Sequence, residues 1–366
     1  MAELIPTMNP AVSFNDHLSL LMRDPLAAVK RDGRVIGYVG NDVPVELIFA
    51  ANATPLRVRG AAHEDTPHAD LYLEAAFMPE LRAVAEQWLR GSLDTLEAIV
   101  LSRADDSAQR LYYYMCELQH RGICRGPQPL LYDVAMLSRQ TSRAHTLEST
   151  RRLAAELGSK GDLDRAMKRV VRREDLLSRI STRRTDTTPL TGSAAWCVEH
   201  ASGYDWRESF DDAAEAWLND APALHNPRRI LLAGNSPPDL RLHLAIEASG
   251  GSIVSELVES FGPVRSAHAD ALTGIADHYQ QRSNVAVSMR ANARWLVECA
   301  RAARADAVVM WLIEEDESLP WEISRQVQSL RAESVPSLLL SRQQWRATDE
   351  TLSQLRTFVS GLEGST

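Results

Sequence analysis

The sequence predicts an α/β protein with two doubly wound lobes of parallel sheet that a helical segment joins. Three observations predict this class. Short apolar runs alternate with helical patterns in residues 33–141, the alternation returns in residues 228–366, and residues 142–227 contain helical patterns only. Strand–helix alternation with short loops is typical of doubly wound parallel sheets.

Residues 1–32 are predicted to form a helical lead-in. The stretch LSLLMRDPLAAVKRDG places apolar residues at helical spacing and ends in glycine, a frequent helix stop. The first lobe, residues 33–141, then contains four predicted strands with helices between them. The strands are RVIGYVG, PLRVRGA, LEAIVLS and QPLLYDV, and the clearest helices are LEAAFMPELRAVAEQWLRG and SAQRLYYYMCELQHRG.

Residues 142–227 are predicted to be helical. The stretch SRAHTLESTRRLAAELGSKGDLDRAMKRVVRREDLLSRISTRR is dense in charge and carries apolar residues at helical spacing, as do TGSAAWCVEHAS and ESFDDAAEAWLND. No strand pattern interrupts these stretches. We therefore interpret this region as a helical segment that links the two lobes.

The second lobe, residues 228–366, repeats the alternation of the first. Its predicted strands are RRILLAGN, SIVSELV, DAVVMWLIEED and PSLLLS. Its predicted helices are DLRLHLAIEASGG, MRANARWLVECARAARA, SRQVQSLRAESV and TDETLSQLRTFVSGL, the last with a threonine or an aspartate at its N-cap. The shared order suggests two similar lobes, although no repeat of the sequence itself accompanies it.

The composition is that of an ordinary globular protein. The chain has 366 residues, of which 45% are hydrophobic, and this length suits two domains, or three if they are small, rather than one small core. A formal net charge of −9 argues against a nucleic-acid surface, which needs clustered positive charge. No apolar run is long enough to cross a membrane, and the N-terminus lacks a secretory pattern. We expect a cytoplasmic protein without nucleic-acid or membrane partners.

The cysteines and histidines form no metal-binding pattern. The cysteines are Cys116, Cys124, Cys197 and Cys299. None stands in a C-x-x-C pair or at zinc spacing from a histidine, so reduced and mostly buried thiols are expected. His63 and His68 share a polar loop and lack the helical spacing of a metal-binding pair. The sequence therefore predicts no metal site.

Five segments, taken in order, carry a family resemblance. They are GRVIGYVGNDVPVELIFAANATPLRVRG, SRADDSAQRLYYYMCELQHRG, ELGSKGDLDRAMKRVVRREDLLSRI with its sequel PLTGSAAW, RRILLAGNSPPDLRLHLAIEASGGSIVSE, and ADAVVMWLIEEDESLPWEISRQVQSLRAESVPSLLLS. Together they resemble the subunits of the 2-hydroxyacyl-CoA dehydratase and benzoyl-CoA reductase family, in a D-component-like form. The resemblance extends from about residue 20 to residue 362.

The resemblance implies one of two homologous subunits of an enzyme that acts on a CoA thioester. In that family each subunit usually holds a [4Fe-4S] cluster through three cysteines, since thiolates are soft, anionic ligands for iron. The cysteines come from the loops after the first strand, before the Tyr-rich helix and after the strong late strand. An ATP-dependent activator supplies one electron, which the cluster passes to the thioester for a dehydration or a ring reduction.

This chain has no cysteine at any of the three positions that the resemblance assigns to ligands. They fall at about Gly40, Asp105 and Glu315, with Ala104 in place of Asp105 if the loop shifts by one residue. Cys116 lies three helical turns beyond Asp105, so it cannot substitute unless the loop is rebuilt. We therefore expect no cofactor in this chain and a [4Fe-4S] cluster in a homologous partner subunit.

The loop GYVGNDVP contains the first of these positions. Loops at the carboxyl ends of parallel strands are where α/β proteins place their chemistry. Gly40, without a Cβ, lets the backbone turn tightly or lets a partner's cofactor approach closely. Asn41 is a candidate for a substrate pocket, and Asn41 and Asp42 are also expected to cap the helix that follows Pro44.

A second candidate loop, Gly234-Asn235-Ser236, follows the first strand of the second lobe. It could hold a phosphate or touch the nucleotide of CoA. It lacks the P-loop pattern, and Pro237-Pro238 removes two N–H donors, so an ordinary connecting loop is the alternative. Asn235 and Ser236 are the substrate-pocket candidates of this loop.

Ser107 and Tyr113 complete the substrate-pocket candidates. Tyr113 stands between two other tyrosines, and side chains on consecutive helical residues point about 100° apart. One ring must therefore leave the core, either as a boundary residue or as the wall of a substrate or partner surface. Ser107 and Ser236 have no adjacent base, which argues against a hydrolase.

Six acidic residues follow predicted strands of the two lobes. They are Asp105, Asp106, Glu314, Glu315, Asp316 and Glu317. If the lobes face each other, these residues could form a hard-metal or acid–base site. Alternatively, they are solvated loop acids and helix N-terminal acids, which the helix dipole favours. No histidine is near them, so the catalytic residues stay unassigned.

Two hypotheses about function follow. In the first, the chain is a cluster-less subunit of a heteromeric CoA-thioester lyase or oxidoreductase, and its homologous partner holds the cluster. In the second, the fold serves without redox chemistry, either to bind a CoA thioester or to act on it through carboxylates, since fold alone does not settle function. The sequence does not specify the acyl group of the substrate.

Overall fold

The computed structural model describes the chain in six stretches, and within them the fold is α/β. Two four-stranded sheets, each with parallel strands only, are interleaved with helices. This confirms the fold class that the sequence predicts. The described residues are 13–28, 33–137, 139–222, 224–257, 270–290 and 293–362.

The N-terminal segment is helical where it is described. Helix α1 spans Phe14–Arg23 and helix α2 spans Pro25–Ala28, while residues 1–12 and 29–32 of the predicted lead-in lie outside the described residues. The hydroxyl of Ser13 caps α1 by accepting a hydrogen bond from the Asp16 N–H (3.2 Å).

The first sheet has the strand order β2-β1-β3-β4. Its elements are β1 (Val35–Tyr38), α3 (Val45–Ala50), β2 (Thr54–Arg57), α4 (Pro79–Leu89), β3 (Ala98–Ser102), α5 (Asp106–His120) and β4 (Gln128–Tyr132). All four predicted strands are confirmed. Helix α3 has Pro44 at its N-cap and no side-chain cap. Asn41 and Asp42 precede this position, so neither is the N-cap residue of α3, and a capping contact from their side chains stays a prediction.

Four helices follow the first sheet and pack against both of its faces. They are α6 (Gln140–Leu157), α7 (Leu163–Thr185), α8 (Gly192–Ala201) and α9 (Glu208–Asp220). Leu153 and Val170 enter the core on one face of the sheet, and Ile180, Val198 and Phe210 enter the core on the other. The region is helical as predicted. Because it shares these cores, the boundary between it and the first lobe stays a prediction.

The second sheet has the strand order β6-β5-β7-β8. Its elements are β5 (Arg228–Gly234), α10 (Arg241–Glu247), β6 (Gly251–Leu257), α11 (Ala271–Arg290), α12 (Ala293–Ala302), β7 (Ala307–Ile313), α13 (Pro320–Ala332), β8 (Ser337–Gln343) and α14 (Asp349–Ser360). Strand β7 is buried along its whole length. Thr348 caps α14 by accepting a hydrogen bond from the Thr351 N–H (3.2 Å), as the sequence suggested.

The two lobes touch along helices α7 and α8. Arg184 near the end of α7 donates a hydrogen bond to the Ile253 carbonyl oxygen of β6 (3.0 Å) and another to the Glu256 carboxylate (2.6 Å). The N–H of Gly192 in α8 donates to the Ser252 hydroxyl (3.1 Å). Edge strand β6 is thereby joined to helices that cover the first sheet. Among the described residues, no helix is long and apolar enough to span a membrane.

Candidate functional site

The loops at the carboxyl ends of both sheets meet in one cleft between the lobes. The cleft has a volume of about 650 Å³, and its walls come from residues 39–42, 104–108, 234–236 and 315–319 among others. Parallel sheets expose their loop ends at one edge, and here the two edges face each other. A second groove of similar volume lies between α7 and α9, away from these loops.

The three positions where the family resemblance places cluster ligands all line this cleft. Gly40 follows β1 with a φ of +84°, and a Cβ there would meet nothing within 4 Å. Asp105 is the N-cap of α5, and its carboxylate accepts a hydrogen bond from the Ala108 N–H (3.0 Å). The Oε2 atom of Glu315 is shielded from solvent and has no hydrogen-bond partner within the described chain.

Four of the five predicted substrate-pocket residues lie in the cleft walls. Asn41, Ser107, Asn235 and Ser236 line the cleft, whereas Tyr113 does not. The Tyr113 side chain is 56% exposed on α5, while its neighbours Tyr112 and Tyr114 pack against the core. A role for Tyr113 in a pocket stays a prediction.

Asn235 joins the two loops of the second lobe. Its side-chain oxygen accepts a hydrogen bond from the Ile313 N–H (2.9 Å), and its amide donates to the Asp316 carboxylate (2.7 Å). Helix α10 begins only at Arg241, so the predicted phosphate loop does not run directly into a helix N-terminus. The contacts of Asn235 favour the alternative reading of a structural loop.

Gly234 allows this loop to pass close to strand β7. Its φ is +106°, and a Cβ at this position would lie 2.2 Å from the Trp311 carbonyl oxygen. A side chain cannot occupy that space unless the backbone moves. The glycine thus serves a close approach of two backbones.

The cleft wall is strongly acidic. Arg110 is the single cationic side chain among its lining residues, against eight carboxylates. These belong to Asp42, Glu80, Asp105, Asp106, Glu315, Asp316, Glu317 and Glu322. Such a surface repels anions and attracts cations, because the charges share a partly desolvated cavity.

Two of the cleft acids accept backbone hydrogen bonds near helix N-termini, one as a helix cap and one in the loop before a helix. Asp105 caps α5, and Asp316 accepts hydrogen bonds from the N–H groups of Ser318 (2.9 Å) and Leu319 (3.1 Å) before α13. Burial alone would raise the pKa of Asp316, but hydrogen bonds from Ser318, Leu319 and Asn235 outweigh it and lower the pKa. Glu314 pairs with Arg342 on the surface (2.6 Å). These contacts favour the helix-cap reading for part of the acidic set.

The residues present do not fit a cluster held by three cysteines. None of the cysteines lines the cleft; all four are free and of intermediate burial, in keeping with the expectation of reduced and mostly buried thiols. Burial raises the pKa of Cys197 and of Cys299 to about 11, which disfavours the thiolate that binds iron. Within the described ranges, no group of three or more His, Cys, Asp or Glu side chains is arranged to hold a metal ion.

The histidines singled out in the sequence lie outside the cleft lining. His68 Nδ1 lies 2.7 Å from the Glu86 carboxylate, which also accepts hydrogen bonds from the N–H groups of His68 (2.8 Å) and Ala69 (2.9 Å). Glu86 is fully buried. The His68 contact therefore anchors a loop to α4.

Several cleft residues were not found from the sequence. Glu80 and Arg110 come from helices α4 and α5, Ser102 ends β3, and Trp345 follows β8. Ser283 comes from α11, a helix that the sequence reasoning missed because polar residues interrupt the spacing of its apolar ones. Ser102 could have been found, since it ends a predicted strand at the same edge as Gly40.

A comparison with protein-family models identifies the family of this chain. The model for the D-component of 2-hydroxyglutaryl-CoA dehydratase matches residues 41–361, which is most of the chain. The chain belongs to this D-component family. A search of curated proteins returned no match.

Membership of the D-component family makes the chain a dehydratase-type subunit of a multi-component enzyme. The match begins directly after Gly40 and includes Asp105 and Glu315. Family membership and the shared cleft thus agree, while the donor atoms at the three positions depart from the pattern that the resemblance implies.

Proposed function

We propose that this chain is the cluster-less subunit of a 2-hydroxyacyl-CoA dehydratase-like enzyme and that a homologous partner subunit holds the [4Fe-4S] cluster. One observation carries the proposal. Gly40, Asp105 and Glu315 converge on one cleft, and none of them offers a thiolate. A cleft of this kind without cysteine ligands fits a subunit that takes no part in electron transfer but still assembles with its partner.

The chemistry of the three side chains supports the absence of a cluster here. Glycine has no donor atom, and the Asp105 carboxylate is engaged with the Ala108 N–H at the start of α5. Iron–sulfur clusters are held by soft thiolates, so a lone hard carboxylate at Glu315 is a poor substitute for three of them. The ATP-dependent activator would accordingly deliver its electron to the partner subunit.

The charge of the cleft bears on where the CoA thioester sits. The phosphates of CoA are strongly anionic, and eight carboxylates surround this cavity. We therefore assign the CoA phosphates to the partner subunit or to the subunit interface. Asn41, Ser107 and Ser236 line the cleft and would supply uncharged polar contacts to the acyl end of a substrate that reaches over the interface.

Capture of the chain from its native host, without oxygen, tests the pairing. We expect mass spectrometry to find a homologous chain with cysteines at the positions of Gly40, Asp105 and Glu315. The chain carries an affinity tag for this capture, and enrichment of the homologous chain is measured against a capture with the tag alone. Recovery of the chain as a free monomer or a homo-oligomer would contradict the proposal.

A second function is favoured by the unpartnered Oε2 atom of Glu315. A shielded carboxylate in a cleft could act on a CoA thioester as a base, without redox chemistry. Thermal unfolding of the isolated chain with increasing CoA thioester separates the two functions, because a ligand stabilises the fold that binds it. No shift supports the partner-dependent subunit. A saturable shift that Glu315→Gln removes would support the carboxylate enzyme.

A further inference from the structure

Helix α11 lies between β6 and β7 in the chain, yet it packs against the other lobe. Strands β6 and β7 both belong to the second sheet. Ile275 and Tyr279 of α11 are nevertheless buried in the core beside the first sheet, where α11 runs along α6. The connection between two strands of one lobe thus ties that lobe to the other.

Three hydrogen-bonded contacts fix α11 beside the first sheet, and His278 and Arg282 each lie 3.7 Å from the Glu174 carboxylate of α7. The Arg143 guanidinium of α6 donates two hydrogen bonds to the Asp277 carboxylate (2.6 and 2.5 Å). The Tyr279 hydroxyl donates to the Glu46 carboxylate of α3 (2.9 Å). The Gln280 side-chain amide donates to the Leu137 carbonyl oxygen (3.0 Å). All three link residues that are far apart in the sequence.

The interface under α11 is unusually polar for a buried one. Asp277, His278, Gln280 and Ser283 are all buried there, in addition to Ile275, Ala276 and Tyr279. Glu46 is also buried completely, and a buried carboxylate is costly to remove from water. Interfaces between parts of one chain allow relative motion unless they are large and hydrophobic. Docking of α11 is therefore a balance between its hydrogen bonds and the desolvation of these groups.

The inner end of the docked segment reaches the cleft. Ser283 lies one turn after Tyr279, donates a hydrogen bond to the Tyr279 carbonyl oxygen (3.0 Å), and lines the cleft although only 1% of it is exposed. Movement of Tyr279 away from Glu46 would carry Ser283 with it. Undocking of α11 would therefore also displace the part of the cleft wall that Ser283 forms.

We infer that α11 is a strap whose docking on α3 and α6 controls access to the interlobe cleft. The Tyr279–Glu46 and Arg143–Asp277 contacts are the shortest ties between side chains that hold the strap. When they break, α11 leaves the first lobe and the cleft opens at Ser283. This device is independent of the proposed function, because it concerns the width of the cleft and not its chemistry.

Hydrogen exchange of residues 271–283 tests the strap. In the full-length double variant Tyr279→Phe with Arg143→Gln, exchange in this segment should become about tenfold faster or more, while β3 and β7 keep their protection. The matched control is Tyr132→Phe with Arg172→Gln. It removes a buried hydroxyl that contacts Thr150 and a half-exposed arginine that pairs with Asp212, while the ring at position 132 keeps its edge contact with Tyr279.

Two exchange results would overturn the inference. One is unchanged exchange of residues 271–283 in the double variant, which means that the ties do not hold the helix. The other is faster exchange of this segment only together with β3 and β7, which means that α11 opens by global unfolding alone. The single variant Tyr279→Phe, milder than the double variant, supplies the same comparison if the double variant folds poorly.

Access to the cleft is measured separately with Ser283→Cys. The rate of alkylation at position 283 is followed by peptide mapping, which separates it from the four native cysteines. Combined with the double variant, the new thiol should react about tenfold faster than in the control background, since modification requires the strap to move. Equal rates in both backgrounds would show that the strap does not control access.

Discussion

The two sheets share one strand order, yet they hold their cleft loops in different ways. β1 is followed by Gly40-Asn41, and β5 ends in Gly234-Asn235, with both glycines at positive φ (84° and 106°). Space around Gly40 is open, whereas Gly234 lies against the Trp311 carbonyl oxygen. A side chain at position 234 would therefore clash with strand β7, whereas a side chain at position 40 would meet only the cost of the positive φ.

This difference explains how a ligand position can change without loss of the fold. The loop at Gly40 has no neighbour that a new side chain would displace, so its residue type can vary at small cost to stability. The loop at Gly234 is held by β7 and by the contacts of Asn235, so it cannot vary in the same way. The first lobe therefore has the adaptable half of the cleft.

The largest expected effect comes from placing a methyl group in each loop. Gly234→Ala should lower the free energy of unfolding by about 4 kcal/mol, since it adds a backbone clash to a strained φ. The paired variant Gly40→Ala should cost about 1 kcal/mol, for φ alone. Denaturant unfolding of both variants measures the difference. Equal losses would contradict the asymmetry of the two loops.

The next effect concerns the side-chain contacts of the second loop. Asn235→Ala leaves the Ile313 N–H and the Asp316 carboxylate without their partner, so it should cost about 2 kcal/mol. Asn219→Ala on the exposed face of α9 is the control and should change stability by less than about 0.5 kcal/mol. Urea unfolding measures the free energy of unfolding of both variants. Similar losses in the two would show that the Asn235 side chain does not hold the two loops together.

A smaller effect is expected where the second sheet meets the helices of the first. Glu256 of β6 is bonded to Arg184 (2.6 Å) and lies 3.0 Å from His243 Nε2. Burial alone would raise the pKa of Glu256, but Arg184 and His243 hold it at about 2. Since this is below the unfolded value, Glu256 stabilises the fold above about pH 4.3 and loses that contribution as the pH falls toward 2.

Glu199 shifts in the opposite direction, because burial raises its pKa, so it offsets part of the Glu256 effect. Between pH 5 and pH 3, the native chain should lose about 1 kcal/mol more stability than Glu256→Gln does. Urea unfolding at the two pH values measures this difference. An equal loss of stability in both proteins would show that Glu256 does not make the stability of the fold depend on pH.

The smallest effect is expected at Tyr113. Its ring is more than half exposed and lies outside the cleft wall, so Tyr113→Ala should change the free energy of unfolding by less than about 0.5 kcal/mol. The same substitution should leave alkylation of Ser283→Cys unchanged. A clear change in either measurement would support a role for Tyr113 in the cleft.

Much of this fold could be predicted from local patterns. Alternation of apolar runs and helical spacing located all eight strands, and the family resemblance selected Gly40, Asp105 and Glu315, which line one cleft. Helix α11 was missed because its buried face includes Asp277, His278 and Gln280, which obscure the apolar period.

Other features depend on contacts that no local pattern records. The Arg143–Asp277 and Arg184–Glu256 pairs join residues from different lobes, so only the folded chain reveals them. The strand order, in which β1 and β5 are central, is likewise a property of the whole sheet. The acidic character of the cleft depends on how α4, α5 and α13 are placed around it.

The central claim is that the cleft of this subunit holds no cluster while its partner does. Iron and acid-labile sulfide, measured without oxygen before and after the two chains are separated, test it most directly. We expect both elements in the intact assembly and in the separated partner, and neither in this chain. Iron and sulfide in equal, stoichiometric amounts in this chain alone would contradict the account.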